Sequence, residues 1–344
     1  MKKLLLILTT FISISFGQQL DSNDEYSCFG YSFDDGSGLE GTFYDLKLKR
    51  NGKASGLKGG AENQIQVIEA LAKFFNGWNK SSLREYWRAP QKCYASYWYL
   101  PCAYAKYSSI AFGGGDVNIP ESQWKCQPSA WLVVYRGYVE APKTGTFRFI
   151  GTGDDFLAVR FKKKTVLDAG YRLPTRWEKK NPRKAWVSGH GDGENFRNDI
   201  ASGKDKKRKD YKFIKGIPGC KIWDDELGGL VAGAPFKVKK GNIYPIEIAI
   251  SEIPGGKFGF VLFIEDITNG ANYKAKQYDI FRTCNINPDV DKMMKSLKDA
   301  GCYAGNNHIP FNENSLIWRV PTEEEVEKFK KKMKKEVKLA CIKF

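Results

Sequence analysis

Apolar residues along this chain change period several times, and each change predicts an element. In 38–56, "GLEGTFYDLKLKRNGKASG", Phe43, Asp45 and Lys47 face one way and Tyr44, Leu46 and Leu48 the other. That alternation predicts a half-buried strand, closed by Asn51-Gly52. The next stretch, "AENQIQVIEALAKFFNGW", places Ile65, Ile68, Leu71 or Ala72, and Phe75 at helical spacing, and Asn76-Gly77 stops it. "SSLREYW" reads as a second short helix, with Ser82 and Glu85 as a capping box. "YASYWYLPCAYAKYSSIAF" is dense in aromatics and reads as core and strand material.

From Trp131 the strand signals sharpen. "WLVVYRGYVEAP", "TFRFIG", "FLAVRF" and "TVLDAG" are four short strands separated by "KTG", "TGDD" and "KKK", which predicts an antiparallel meander. Two further strands in 233–266 flank Pro254-Gly255-Gly256. Strands on both sides of an interruption imply one β-sandwich. Towards the C-terminus, Asn287 is placed to cap, Pro288 to begin and Gly301 to end a helix. "TEEEVEKFKKKMKKEVKLA" carries a capping box at Thr322 and Glu325 and one apolar stripe: Val326, Phe329, Met333, Val337, Ala340.

Charge refines this picture. The chain carries a net +16, and between Arg160 and Lys215 there are 18 Lys or Arg against 7 Asp or Glu. Residues 171–215 therefore read as a long, exposed, basic insertion. Lys204, Lys206, Lys207, Arg208 and Lys209 are its densest run and the candidate polyanion contacts; the competing reading is a solvated surface loop that binds nothing specific. Trp177 and Trp186 sit among these charges. They either stack on sugar rings or pin the insertion to the sandwich. Trp87, Trp98, Trp131 and Tyr135 read as core.

The N-terminus has Lys2 and Lys3, an uncharged run "LLLILTTFISISF", and Ser15 and Gly17 before a cleavage point after Gly17. Residues 1–17 read as a secretory signal peptide, and no later segment is long and apolar enough for a transmembrane helix. The expected destination is secreted, periplasmic or outer-surface. Cys28, Cys93, Cys102, Cys126, Cys220, Cys284, Cys302 and Cys341 all follow the cleavage point, so disulfide pairing is the default expectation in an exported chain. Cys93, Cys102 and Cys126 are the candidates for one crosslinked region. No tight CxxC pair signals zinc or redox chemistry.

The chain has no G-x-S-x-G elbow, H-E-x-x-H or Walker loop, and only two histidines, His190 and His308. Export separates the protein from cytoplasmic nucleic acid, and no nucleic-acid reader motif is present. Acidic polysaccharides and other surface polyanions are the partners this charge suits.

"YRGYVEAPKTGTFRFIGTGDDFLAVRFKKKTVLD" (135–168) closely resembles the core motif of the PA14 domain family. "GTFYDLK" (41–47) resembles that family's first strand, and "YPIEIAISEIPGG" (244–256) its late strand and turn. The combination resembles exported PA14-like proteins of Planctomycetes and Verrucomicrobia-type bacteria. The resemblance implies a mostly β protein: a PA14-like antiparallel β-sandwich with peripheral helices. The resemblance covers roughly 38–270, and the residues divide the chain into 1–17 signal peptide, 18–37 polar leader, 38–283 sandwich with the basic insertion, and 284–344 C-terminal extension with an amphipathic helix. PA14 modules include sugar binders as well as packing modules, so fold alone does not assign function. In sugar-binding fungal members adjacent aspartates hold a calcium ion that also binds sugar hydroxyls, and Asp154 and Asp155 match those positions.

Calcium takes six to eight oxygen ligands, more than two carboxylates supply. "SGHGDGENFRND" (188–199) offers Asp192, Glu194, Asn195, Asn198 and Asp199 as further oxygens. The competing reading has Asp154 capping a turn and Asp155 accepting loop amides. The leading expectation is an exported, non-catalytic envelope protein that binds glycans or surface polyanions. A structural component that assembles with other envelope proteins is the alternative, and a glycoside hydrolase stands third.

Overall fold

The computed structural model describes residues 38–59, 63–90, 92–104, 129–172, 188–191, 209–214, 230–253, 257–272, 277–299 and 309–342. Numbered along the chain, its strands form two main sheets. The first runs β2 (Tyr86–Arg88), β1 (Leu39–Lys49), β5 (Trp131–Glu140), β14 (Ile243–Glu252), β7 (Phe156–Phe161), β8 (Lys164–Asp168), and β3 (Cys93–Ala95) also pairs with β1. The second runs β11 (Lys212–Ile214), β12 (Leu230–Ala232), β6 (Gly145–Asp154), β15 (Lys257–Asp266), β16 (Tyr278–Ile280), β17 (Phe311–Asn312). Here β13 (Phe236–Val238) joins β6 and β4 (Tyr99–Tyr104) joins β15. A separate parallel pair is made by β9 (Gly170–Arg172) and β10 (Ser188–Gly191). Pairing is antiparallel throughout both main sheets except between β16 and β17.

The protein is an antiparallel β-sandwich. Its main core lies between the sheets: Trp131, Val133 and Tyr135 from β5 and Ile246, Ile248 and Ile250 from β14 meet Phe147 and Phe149 from β6 and Phe260, Leu262 and Ile264 from β15. The intervening residues are apolar too, because both outer faces are covered. On the first sheet, Tyr44, Leu46, Leu132, Val134, Phe156 and Ala158 pack under α1 (Gln64–Phe75). On the second, Ile150, Val261, Phe263 and Ile280 pack with Met293 of α2 (Val290–Asp299). Strands buried on two faces read as continuous apolar runs, which is why "WLVVY" and "FVLFI" lack polar alternation.

The meander expected over 131–168 does not form. β5, β6 and β7 alternate between the sheets, and only β7 and β8 make a hairpin. The step from β5 to β6 has four residues, 141–144, a reach of about 13 Å, enough for sheets about 10 Å apart. The step from β6 to β7 is the bend at Asp155. Side-chain period marks the face a residue takes and is silent on which strand lies beside it.

Two local readings also change. Ser82 and Glu85 form no capping box. A short 3-10 helix spans Lys80–Leu83, capped by Asn79, which accepts the Ser81 amide at 3.0 Å, and Trp87 lies in β2. In α2 the cap is Asp289, which accepts the Lys292 amide at 3.0 Å. Asn287 instead accepts from Arg282 at 2.7 Å. The C-terminal helix α3 (Glu323–Ile342) does carry its capping box: Thr322 accepts the Glu325 amide at 3.3 Å, and Glu325 accepts the Thr322 amide at 2.8 Å.

Candidate functional site

The 151–161 stretch is the corner where the chain leaves the second sheet for the first. Close packing dictates its glycines. A Cβ on Gly151 would stand 2.4 Å from the Val261 carbonyl oxygen, and one on Gly153 would stand 2.8 Å from Leu157 Cβ. Asp155 is 3% exposed. Its carboxylate accepts the Ile253 amide at 2.7 Å, and its own amide donates to the Ser251 carbonyl at 3.3 Å. The side chain thus ties the corner to the end of β14. One carboxylate oxygen is thereby engaged by a protein amide. No cluster of three or more metal-ligating side chains occurs among the described residues, which leave out the Asp154 side chain and Asp192–Asp199.

For Asp154, Cys102 and Cys341 the structure describes backbone alone: Asp154 ends β6 opposite Gly259, Cys102 lies in β4 and Cys341 in α3. Residues 1–37, Trp177, Trp186, Asp192–Asp199, Lys204, Lys206, Lys207, Arg208, Cys126, Cys220 and Cys302 lie outside the described residues. Lys209 is exposed at the start of a turn leading to Tyr211 and Ile214, which are buried against the sandwich. Cys93 is buried on β3 and Cys284 is half-buried. Trp98, Trp131 and Tyr135 are buried in the main core, whereas Trp87 is partly exposed.

The structure assembles a different cluster. Beyond the end of α1 the outer face of the first sheet turns from apolar to charged. Glu40, Arg136, Glu247 and Arg160 are direct cross-strand neighbours on β1, β5, β14 and β7. Glu247 accepts Arg136 at 2.8 Å and Arg160 at 2.9 Å, and Glu40 pairs with Lys92 at 2.5 Å. Above this ladder the 3-10 helix and β2 bring Lys80, Arg84 and Arg88. These three, with Lys92 and Arg136, line a cavity of about 370 Å³ whose lining holds one carboxylate, Glu40. A contiguous hollow of about 190 Å³ shares Lys80, Arg84 and Arg88 and adds Arg50.

None of Lys80, Arg84 and Arg88 makes an ion pair among the described residues. Burial first, then the Arg136 guanidinium, holds the Lys80 ammonium below the usual lysine range. Arg160 and Lys92 act in the same direction and Glu247 opposes them. The groove therefore concentrates positive charge that its own carboxylates do not neutralise. An anion seated there meets planar guanidinium forks suited to carboxylate or sulfate. One sequence signal was present, since Lys80, Arg84, Arg88 and Lys92 recur every four residues. That spacing suggests a helix face, whereas a 3-10 turn and two strands bring these residues together.

No family model matches the chain. No curated protein matches it either. Among solved structures, similar chains include the PA14 domain of the MpAFP antifreeze protein, 11% identical over 67% of this chain and 82% of that one, with a TM-score of 0.30. The PA14 sugar-binding domain from an RTX adhesin is 13% identical over 71% of this chain and 94% of that one, with a TM-score of 0.30. The Epithelial Adhesin 6 A domain from Candida glabrata, in complex with Galb1-3GlcNAc, is 13% identical over 67% of this chain and 79% of that one, with a TM-score of 0.29. The sandwich assignment rests on the chain's own strand pairing.

Proposed function

We propose that this protein is an exported, non-catalytic glycan-binding module whose ligands are acidic saccharides of surface polymers. The observation that carries the reading is the groove on the outer face of the first sheet. Lys80, Arg84 and Arg88 stand there without carboxylate partners among the described residues, backed by Lys92 and Arg136. Its size of about 370 Å³ suits one or two sugar rings and lies at the small end of ligand cavities. Threonine and tyrosine side chains, Thr42 and Tyr44, add hydroxyl partners in the same wall. The reading calls for no metal: the guanidinium and ammonium groups neutralise the ligand.

A glycan array of sulfated, uronate-bearing and neutral oligosaccharides tests this, read with parent protein and with Arg84→Gln/Arg88→Gln. Parent should retain the acidic members, and the double variant should lose about tenfold in affinity for each arginine removed, with a shallower salt dependence. Retention of neutral glycans with no change in the variant would overturn the groove as the site. Absence of any glycan signal would favour a structural role in the envelope.

A further inference from the structure

A second basic cavity, of about 840 Å³, lies where the sandwich turns meet α3. Lys162 and Lys163 come from the β7–β8 turn, Lys237 from β13 and Lys239 from the turn after it. Phe329 and Met333 of α3 form its apolar side. No carboxylate lines it among the described residues. Lys162 lies 5.2 Å from the Tyr244 ring centre, and its ammonium donates to the Lys237 carbonyl at 3.3 Å.

Three features distinguish this groove from the arginine groove. First, the turn places Lys162 and Lys163 at φ 52° and 65°, left-handed backbone that Asn-Gly adopts with less strain. Two lysines occupy a position where local preference disfavours them, at the tip of a hairpin. Second, the cations are all lysines, compact point charges without the fork that fixes a carboxylate or sulfate in one orientation. Third, apolar surface lies beside them. Met333 is 40% exposed, one of two large apolar side chains so exposed among the described residues, and Phe329 is half-buried. The same helix carries Lys331 and Lys332 on its exposed side, and Lys328 there paired with Glu324 at 2.6 Å.

Non-directional positive charge beside an exposed methionine and a half-buried phenylalanine on a basic amphipathic helix is the chemistry of a bilayer interface. We propose that this groove, with α3 along its rim, docks the protein on an anionic lipid surface. The lysines would sit at the phosphate level, and Met333 and Phe329 would face the acyl boundary. The proposal is independent of the glycan reading, since it uses different residues.

Co-sedimentation with vesicles of phosphatidylcholine containing about 30% phosphatidylglycerol, against phosphatidylcholine alone, tests it. The parent should bind only the anionic vesicles, and binding should fall as salt rises. Lys162→Gln/Lys163→Gln/Lys237→Gln/Lys239→Gln should weaken partitioning about 600-fold, because each surface lysine contributes about a fivefold gain. All four side chains are exposed, and a melting curve matching the parent shows the variant folded. Met333→Asp should lower partitioning separately with the lysines intact. A parent that ignores anionic vesicles, or a quadruple variant that binds them like the parent, overturns the proposal. So does lysine-dependent binding that is unchanged in Met333→Asp, which would make the groove a site for free polyanions instead of a bilayer.

Discussion

Asp155 shows how much one side chain at a sheet crossing decides. Its carboxylate accepts a buried amide, Ile253 N–H, where β14 ends, so the turn between β6 and β7 is held to the neighbouring strand. Asp155→Ala should cost about 1–3 kcal/mol, the penalty of leaving that donor unpaired. The loss should be equal in millimolar calcium and in chelator. Melting curves of parent, Asp155→Ala and Asp155→Asn in both conditions check this. A calcium-dependent rise in the parent that vanishes in Asp155→Asn would give the aspartates a metal-binding role, because a ligand bound only to the folded state raises its stability. The chain shows a turn with two carboxylates at 151–155. The amide that one of them serves lies 98 residues away, beyond the reach of a local pattern.

Elements whose signals are local were legible. The α1 stripe and its stop at Asn76-Gly77 agree with a helix over Gln64–Phe75, with Gly77 at φ 76°. The Thr322 and Glu325 capping box forms because both partners lie within one turn. Tertiary contacts then add to it. Arg319 pairs with Glu325 at 2.8 Å and also with Glu140 at the end of β5, which clamps the helix start to the sandwich. The Arg319 guanidinium first, and the Thr322 amide second, hold the Glu325 carboxyl down at about 2. Since the folded value lies below the ordinary 4.5, the clamp's contribution is complete above about pH 4.5 and is lost as pH falls through about 2. A carbon-13 titration of the Glu325 carboxyl should show a midpoint near 2 in the parent, moving towards 4.5 in Arg319→Gln. A parent midpoint already in the ordinary range would remove the clamp. Where a cap had competitors, at Ser82 or Asn287, the sequence named the wrong one. Asn79 and Asp289 hold those positions instead.

At the scale of the molecule, the C-terminal segment is built into the sandwich. Trp318 is fully buried between the sheets, 5.2 Å from Phe147 and 6.2 Å from both Phe161 and Phe281 by ring centres. Trp318→Ala should cost about 3–5 kcal/mol in guanidinium unfolding, through lost burial and the cavity left behind. It should shift one cooperative transition and not create a second. A stability equal to the parent's would separate this segment from the core.

By itself the sequence determined what is local. It set which positions are apolar, where α1 stops and α3 starts, the mostly β character and the excess of positive charge, because rotamer, turn and capping preferences act within a few residues. The tertiary structure alone decided which sheet each strand joined. It covered both outer faces, and it gathered Lys80, Arg84 and Arg88 beside Arg136 from β5. Strand partners are chosen by packing between residues far apart in the chain, and a period of two is the same whichever neighbour a strand takes.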